Sequence, residues 1–138
     1  MTRERRARSP VRPARRKTRG EILLKRAYDS PSPDDGVRIL VDRLWPRGLA
    51  RDRLKIAEWI PDLGPSDELR RWFGHDPARW AEFRRRYLRE LGQKASLVEK
   101  VAAYARRGRV TLVYGARDRE HNQAVVIKEA VERRLARA

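Results

Sequence analysis

One short stretch, residues 36–48, restricts the folds open to this chain more than any other. Residues 37–41 form an almost continuous apolar run rich in β-branched side chains, which is typical of a strand buried on both faces. The run ends abruptly in Asp42, Arg43, Trp45, Pro46 and Arg47. In α/β folds, ligand sites gather where strands end at the carboxyl edge of the sheet. The stretch therefore predicts a buried strand that opens onto a cleft.

Two further strands complete the predicted sheet. Residues 21–27 and 110–114 have strand patterns, and the second of these is again a buried-looking run. The loop of residues 28–36 is too short for a crossover helix, which favours antiparallel pairing of the first two strands. Helices separate the second strand from the third, so this crossover should be right-handed and these strands parallel. We predict an α/β fold, with a small, mixed, mainly parallel sheet flanked by helices in three layers.

Four helices are predicted from capping signals and from the glycines that follow apolar stripes. Their starts lie at residues 64–68, at Asp76-Pro77, at a capping box in residues 96–99 and at Asp118. Their ends lie near Phe73-Gly74, at Gly92, at Gly108 and near Arg134. Residues 54–60 fit either a short strand or a single helical turn.

The net charge of +16 is divided equally between a short arm and the rest of the chain. Residues 1–20 hold nine of the 35 basic residues and one of the 19 acidic residues, a net charge of +8. With few large apolar residues this segment cannot fold alone, so we predict a disordered arginine-rich arm and a single α/β domain over residues 21–138. The arm either binds phosphates or is a dispensable extension. The charge of the domain either attracts polyanions or reflects an arginine-rich proteome.

The composition excludes several classes of site. The 138 residues include no cysteine, which rules out disulfides, a thiolate nucleophile and a cysteine-based zinc site. The two histidines and the scattered carboxylates show no metal-ligand spacing, so we assign no metal. No dinucleotide or P-loop motif is present, and we predict no cofactor. No apolar run approaches the ~20 residues that span a bilayer. We expect a cytoplasmic protein without a membrane partner, and its oligomeric state does not follow from the sequence.

Polar residues follow the second and third predicted strands at the point where each strand ends. Parallel strands end on the same side of a sheet, so we expect the two groups to lie close together. The groups are Asp42, Arg43, Trp45 and Arg47 after one strand, and Arg117, Asp118 and His121 after the other. A loop-to-helix turn flanked by arginines is a natural anion site, and Gly115 permits close backbone approach there.

Three of these residues are candidates for acid–base chemistry: Asp42, His121 and Asp118. Asp118 lies one turn before His121, close enough to orient the imidazole as a general base. The alternative is that Asp118 only caps the last helix and His121 fills its first turn. Asp42 is either an acid or base, or the ion-pair partner of a neighbouring arginine.

The remaining residues of the two groups are candidates for ligand binding. Guanidinium groups bind phosphate and carboxylate through paired hydrogen bonds, and an indole in a loop can stack on a ring or close a pocket. The predicted ligand-binding residues are Arg43, Trp45, Arg47 and Arg117.

Other aromatic and basic residues are assigned structural roles. Trp72 and Trp80 have the spacing of a helical core stripe. His75 precedes the Asp76-Pro77 helix start, and packing beside the indoles is favoured over catalysis for it. The arginines of residues 84–86 are interpreted as the solvated flank of their helix, with phosphate contact as the minor alternative.

Several motifs of the chain are similar to those of one known family. They are residues 25–29 (Lys-Arg-Ala-Tyr-Asp), 32–36 (Ser-Pro-Asp-Asp-Gly) and 41–48 (Val-Asp-Arg-Leu-Trp-Pro-Arg-Gly), with Leu69-Arg70, Trp72-Phe73, His75-Asp76-Pro77, Trp80, Phe83, Tyr87, Asp118, His121-Asn122 and Ala124-Val125-Val126. These residues resemble the YeaO-like branch of the uncharacterised family DUF 488, from about residue 21 to residue 135. The resemblance implies a small cytoplasmic α/β protein and no established activity. Many relatives outside this branch carry a Cys-His pair where this chain has Asn122 and Gln123, so a thiol-based mechanism cannot transfer.

Two functions follow as hypotheses from these patterns. The first is a domain that binds, and in one version acts enzymatically on, an anionic phosphate-bearing small molecule in the cleft at the strand ends. The second is a non-catalytic nucleic-acid-associated module that uses the basic arm and the arginine-rich helix faces. The second predicts binding that falls steeply with salt and weakens when residues 1–20 are deleted.

Overall fold

The computed structural model describes residues 18–137, which contain one sheet of four strands. The strands are β1 (Ile22–Arg26), β2 (Val37–Leu40), β3 (Glu58–Trp59) and β4 (Val110–Tyr114). Their order is β1-β4-β2-β3, and every pairing is parallel. The helices are α1 (Arg51–Leu54), α2 (Asp67–Phe73), α3 (Trp80–Gly92), α4 (Ala95–Arg107) and α5 (Gln123–Arg137). The predicted α/β fold with a mainly parallel sheet is confirmed.

The antiparallel pairing predicted for the first two strands is wrong, because β4 lies between β1 and β2. The predicted parallel pairing of β2 with β4 is correct. β1 and β2 are only five and four residues long. A loop of ten residues can extend about 33 Å, so residues 27–36 return to the start of the sheet without a crossover helix. A short 3₁₀ helix, Pro33–Asp35, takes up part of that return.

Alternating side chains divide the sheet into two unequal faces. Ile39, Val110 and Leu112 are fully buried on the face covered by helices α2 to α5. Leu40 and Val113 lie on the opposite face, packed with Leu54 and the two indoles Trp45 and Trp59. We call this second side the thin face, because within residues 18–137 only α1 and the loops around it cover it. Residues 54–60, which fitted a strand or a helical turn, contain the end of α1 and all of β3.

A charged cluster at the start of β2 explains how an arginine fits a buried strand. Arg38 is 4% exposed and Asp35 is 5% exposed. The Nη1 of Arg38 donates to Asp35 at 2.7 Å, while its Nε and Nη2 donate to the Leu54 carbonyl at 3.0 and 2.8 Å. Lys25 Nζ and the Ser32 amide complete the set of donors to Asp35, each at 3.0 Å. Each buried charge is thus paired and hydrogen-bonded, as burial requires.

The helix caps agree with the sequence at two of four predicted starts. Ser66 accepts from the Leu69 amide at the start of α2, and Asp76 accepts from the Ala78 amide in the turn that precedes α3. The capping box predicted at residues 96–99 is wrong, because α4 begins at Ala95 and Lys94 supplies no side-chain cap.

The start of α5 also differs from the prediction. Asn122 caps this helix, since its Oδ1 accepts from the Ala124 amide at 2.9 Å. Asp118 accepts instead from the amides of Glu120 and His121, and so closes a separate turn before the helix. Asp and Asn are both strong cap residues, and only the position of the helix decides between them.

The predicted arm lies mostly outside the described residues, since residues 1–17 are not among them. Its last three residues are described, and there the Gly20 amide donates to the Ala105 carbonyl at 2.7 Å. Among the helices within residues 18–137, none has the length and apolar character needed to cross a membrane.

Candidate functional site

A cavity of about 480 Å³ opens at the carboxyl ends of β2 and β4, the sheet edge at which the sequence placed the cleft. The residues after β2 form one wall, the turn between β4 and α5 forms another, and α2 with the turns beside it closes the third. The lining residues are Asp42, Arg43, Leu44, Pro65, Asp67, Arg70, Phe73, His75, Phe83, Ala116, His121, Asn122 and Gln123.

Asp42 presents a partly buried carboxylate to this cavity. Its Oδ2 accepts from the Gly115 amide at 2.8 Å, and its Oδ1 accepts from the Gln123 side-chain amide. Trp59 Nε1 donates to the Asp42 carbonyl at 2.7 Å and fixes the backbone there. Burial raises the pKa of Asp42 to about 6, and the hydrogen bonds from Gly115 and Gln123 offset only part of that effect because both donors are neutral. The pKa of Asp42 therefore lies closer to neutral pH than that of an ordinary carboxyl group.

Gly115 makes the contact with Asp42 possible. A Cβ atom at position 115 would lie 2.9 Å from Asp42 Oδ2, which is closer than real Cβ contacts come. The close approach that the sequence predicted at Gly115 is thus made to a carboxylate of the chain itself.

His121 and Asp118 form a hydrogen-bonded pair at the cavity. His121 Nδ1 lies 2.9 Å from Asp118 Oδ2, and the ring packs edge-on against Trp80 with centroids 5.2 Å apart. Amide donation from Glu120, followed by the contact with His121, lowers the pKa of the Asp118 carboxyl. An ionised Asp118 fixes Nδ1 as the protonated ring nitrogen, so Nε2 is left to act as an acceptor or base.

Two guanidinium groups lie on the α2 side of the cavity. Arg43 Nε donates to the Pro65 carbonyl at 3.3 Å and lies 3.9 Å from Asp67. Arg70 is 3.1 Å from the same carboxylate. Asp67 thereby holds both cations on one side, and together the three side chains retain a net positive charge.

Aromatic side chains line the same cavity as these charges, and one of them, Phe73, lies three residues after Arg70 on α2. Phe73 and Phe83 stack with ring centroids 4.2 Å apart, and Trp80 lies within 6 Å of both, at 5.9 Å from Phe73 and 5.6 Å from Phe83. Leu44 extends the apolar surface to the mouth, where its side chain is 78% exposed. The cavity thus combines an apolar wall with a cationic rim, which suits a ligand that has an organic part and an acidic group.

The structure separates the predicted site residues into two sets. Asp42, Arg43 and His121 line the cavity. Asp118 does not line it but is hydrogen-bonded to His121. Arg47 and Arg117 are exposed and do not line it. The roles assigned to all of these residues stay predictions.

Trp45 lies on the thin face, away from the cavity. Its ring meets Trp59 edge-on at 5.5 Å, its Nε1 donates to the Leu49 carbonyl at 2.6 Å, and the Arg51 guanidinium lies 5.3 Å from it. These contacts anchor the loop after β2.

Five polar lining residues were not among the predicted site residues: Asp67, Arg70, His75, Asn122 and Gln123. Arg70 and His75 belong to matched motifs of the family resemblance, which was the available signal. Gln123 belongs to none of the matched motifs and was named only as a departure from the Cys-His pair of other relatives. The helix cap was also predicted at Asp118 instead of Asn122, which placed residue 123 a full turn inside the helix.

The lining side chains limit the chemistry open to the cavity. Among these described residues, carboxylates and imidazoles are the groups able to move protons, and none is a serine, threonine, lysine or tyrosine. Within residues 18–137, no group of three His, Cys, Asp or Glu side chains is placed to hold a metal ion.

Comparison with known proteins gives one family and several similar chains. The profile of DUF488-N3i, described as the inactive DUF488-N3 subclade, matches residues 21–138. The uncharacterized protein YeaO of Escherichia coli K12 is 41% identical over 108 residues, which cover 78% of this chain and 94% of YeaO. The uncharacterized proteins Mb3100c of Mycobacterium bovis and Rv3073c of Mycobacterium tuberculosis are each 39% identical over 113 residues, 82% of this chain and 95% of theirs. No solved structure gives a significant match.

Proposed function

This chain belongs to the DUF488-N3i family, the inactive DUF488-N3 subclade, and from that premise we propose that its cavity binds a small, anionic, phosphate-bearing molecule. The observation that carries the proposal is that Arg43 and Arg70 line one 480 Å³ cavity together with the aromatic rings of Phe73 and Phe83. A phosphate would replace or share the contacts that Asp67 now makes with the two guanidiniums, and the organic part would lie against Phe73 and Leu44.

Binding is favoured over turnover by the groups that the cavity lacks and by the state of Asp42. The lining of the cavity offers none of the serine, threonine or lysine nucleophiles that form covalent intermediates. Both carboxylate oxygens of Asp42 already accept hydrogen bonds from the chain. The acid–base roles of Asp42 and the Asp118–His121 pair remain a narrower version of the proposal, in which water is the nucleophile.

The nucleic-acid hypothesis draws less support from the described residues. Arg84 pairs with Glu129, and both Arg85 and Arg86 pair with Glu82, so these guanidiniums are occupied within the fold. The arm that would supply further contacts lies outside the described residues. A salt series with labelled duplex, comparing the full chain with one beginning at Thr18, tests this alternative separately.

Calorimetric titration with phenyl phosphate tests the proposed cavity. We expect saturable one-to-one binding that Arg43→Ala weakens about tenfold or more, because a charge-assisted hydrogen bond contributes about 1.5–3 kcal/mol. Arg71→Ala is the matched control, since Arg71 is the next residue on α2, is exposed and does not line the cavity. Equal loss in both variants would indicate nonspecific attraction and contradict the proposal. Release of phenol during the titration would extend it to catalysis.

A further inference from the structure

Two residues other than glycine have a left-handed backbone in the described part of the chain, and they occupy different surroundings. Lys55, with φ of 52°, caps the end of α1 on the thin face, and its amide donates to the Arg51 carbonyl at 3.2 Å. His75, with φ of 57°, follows Gly74, the left-handed cap of α2, whose φ is 54°. The turn after α2 therefore uses two successive left-handed residues, of which only the first is a glycine.

The backbone at His75 favours glycine, yet the chain carries an imidazole there. A side chain in this region costs about 1–2 kcal/mol relative to glycine, although histidine tolerates it better than most residues. The turn itself needs only the backbone, since it is closed by the Asp76 amide donating to the Phe73 carbonyl at 3.0 Å. Folding alone therefore gives no reason for a histidine at this position.

The contacts of the imidazole do not supply a structural reason either. His75 is exposed, and its ring lies 6.1 Å from the Phe73 ring, at the outer edge of aromatic contact. Among the described residues, no hydrogen bond or ion pair within the chain engages the His75 ring. What His75 does have is a position in the lining of the cavity that Arg43 and Arg70 also line.

We infer that His75 is a ligand-binding residue of this cavity, and that it joins Arg43 and Arg70 in holding the terminal oxygens of a phosphate monoester. The inference rests on the proposed function and narrows its ligand class. A monoester presents three terminal oxygens, which Arg43, Arg70 and His75 would contact among the nitrogen-bearing side chains of the lining. The ester's organic part would lie against the Phe73 ring. Strained backbone at a ligand site is retained where the side chain contributes to binding.

The test compares the two left-handed positions by calorimetric titration with phenyl phosphate. His75→Asn keeps a residue that tolerates the left-handed region but removes the ring, and His75→Gly removes both the ring and the strain. Lys55→Gly is the matched control, because it relieves the same strain on the opposite side of the sheet. We expect both glycine variants to raise Tm by about 2–4 °C. Affinity should fall about tenfold in both His75 variants and stay unchanged in Lys55→Gly.

The results that would overturn the role of His75 differ from those that would overturn the proposed function. If His75→Asn and His75→Gly bind phenyl phosphate as tightly as the natural chain while Arg43→Ala does not, the role of His75 is wrong and the cavity stands. If inorganic phosphate binds as tightly as phenyl phosphate and depends equally on His75, the three donors hold the anion but the organic part is not recognised, which overturns the monoester class. If the natural chain fails to bind phenyl phosphate, or Arg43→Ala binds it normally, the proposed function fails and this inference fails with it.

Discussion

The two ends of β2 each carry a carboxylate, buried at Asp35 and partly buried at Asp42, and the two have opposite environments. Asp35, just before the strand, accepts from Lys25, Arg38 and the Ser32 amide, so its charge is neutralised by two cations. Asp42, just after the strand, accepts only from a backbone amide and a side-chain amide. Although burial alone would raise the pKa of Asp35, its donors lower it, whereas burial raises the pKa of Asp42 to about 6. The first carboxylate is paired within the fold, and the second lines the cavity.

The glycines beside these carboxylates show the same contrast. A Cβ at Gly36, where φ is 66°, would lie 2.2 Å from the Arg109 carbonyl oxygen, which is part of the backbone. A Cβ at Gly115 would meet only the Asp42 side chain, at 2.9 Å. The start of β2 is therefore closed by rigid backbone, and its end by a side chain that can move.

The largest effect is expected from alanine at these two glycines. Gly36→Ala should destabilise the protein by about 4 kcal/mol, since a backbone clash adds to the strain of a left-handed alanine. Gly115→Ala should cost about 1–2 kcal/mol, because the Asp42 carboxylate can shift. Urea unfolding measures both values, and Gly92→Ala, where nothing lies within 4 Å of the new Cβ, is the control. Equal losses at positions 36 and 115 would break the comparison.

Asp35→Asn should produce the next largest effect, a loss of about 3 kcal/mol at pH 7, because Arg38 would be left as a buried and poorly paired charge. The folded-state pKa of Asp35 is lowered, so its stabilisation is present above the unfolded value of 3.8 and is lost as pH falls. Unfolding curves of Asp35→Asn and the natural chain should therefore converge below about pH 4. A pH-independent difference would mean that shape, and not charge, decides the role of Asp35.

Asp42→Asn should give the smallest effect, of opposite sign. The folded-state pKa of Asp42 is raised from 3.8 to about 6, so its favourable contribution is present below the unfolded value and is lost as pH rises through 6. The asparagine side chain can still accept a hydrogen bond from the Gly115 amide. It can also donate one to the Gln123 side-chain oxygen once that amide group rotates by 180°, and the substitution removes the partly buried charge. We expect stabilisation by about 1–2 kcal/mol at pH 7 that disappears near pH 4. Destabilisation at pH 7 would show that the Asp42 charge is needed by the fold.

Local patterns predicted much of this architecture. The apolar runs identified β2 and β4, the capping residues Ser66 and Asp76 marked two helix starts, and the strand-end rule brought Asp42, Arg43 and His121 to one cavity. These features depend on residues close in sequence or on the general geometry of parallel sheets. A single chain carries such information directly.

Other features depended on long-range packing that no local pattern encodes. The insertion of β4 between β1 and β2 was decided by which strand edges pair across nearly ninety residues, with Ile22 opposite Val110. The same packing shifted the cap of α5 from Asp118 to Asn122 and turned Trp45 to the thin face. Thus the sequence alone determined an α/β chain with polar strand ends. The tertiary structure decided which polar groups meet there, because the pKa of Asp42 and the position of His75 depend on neighbours distant in the chain.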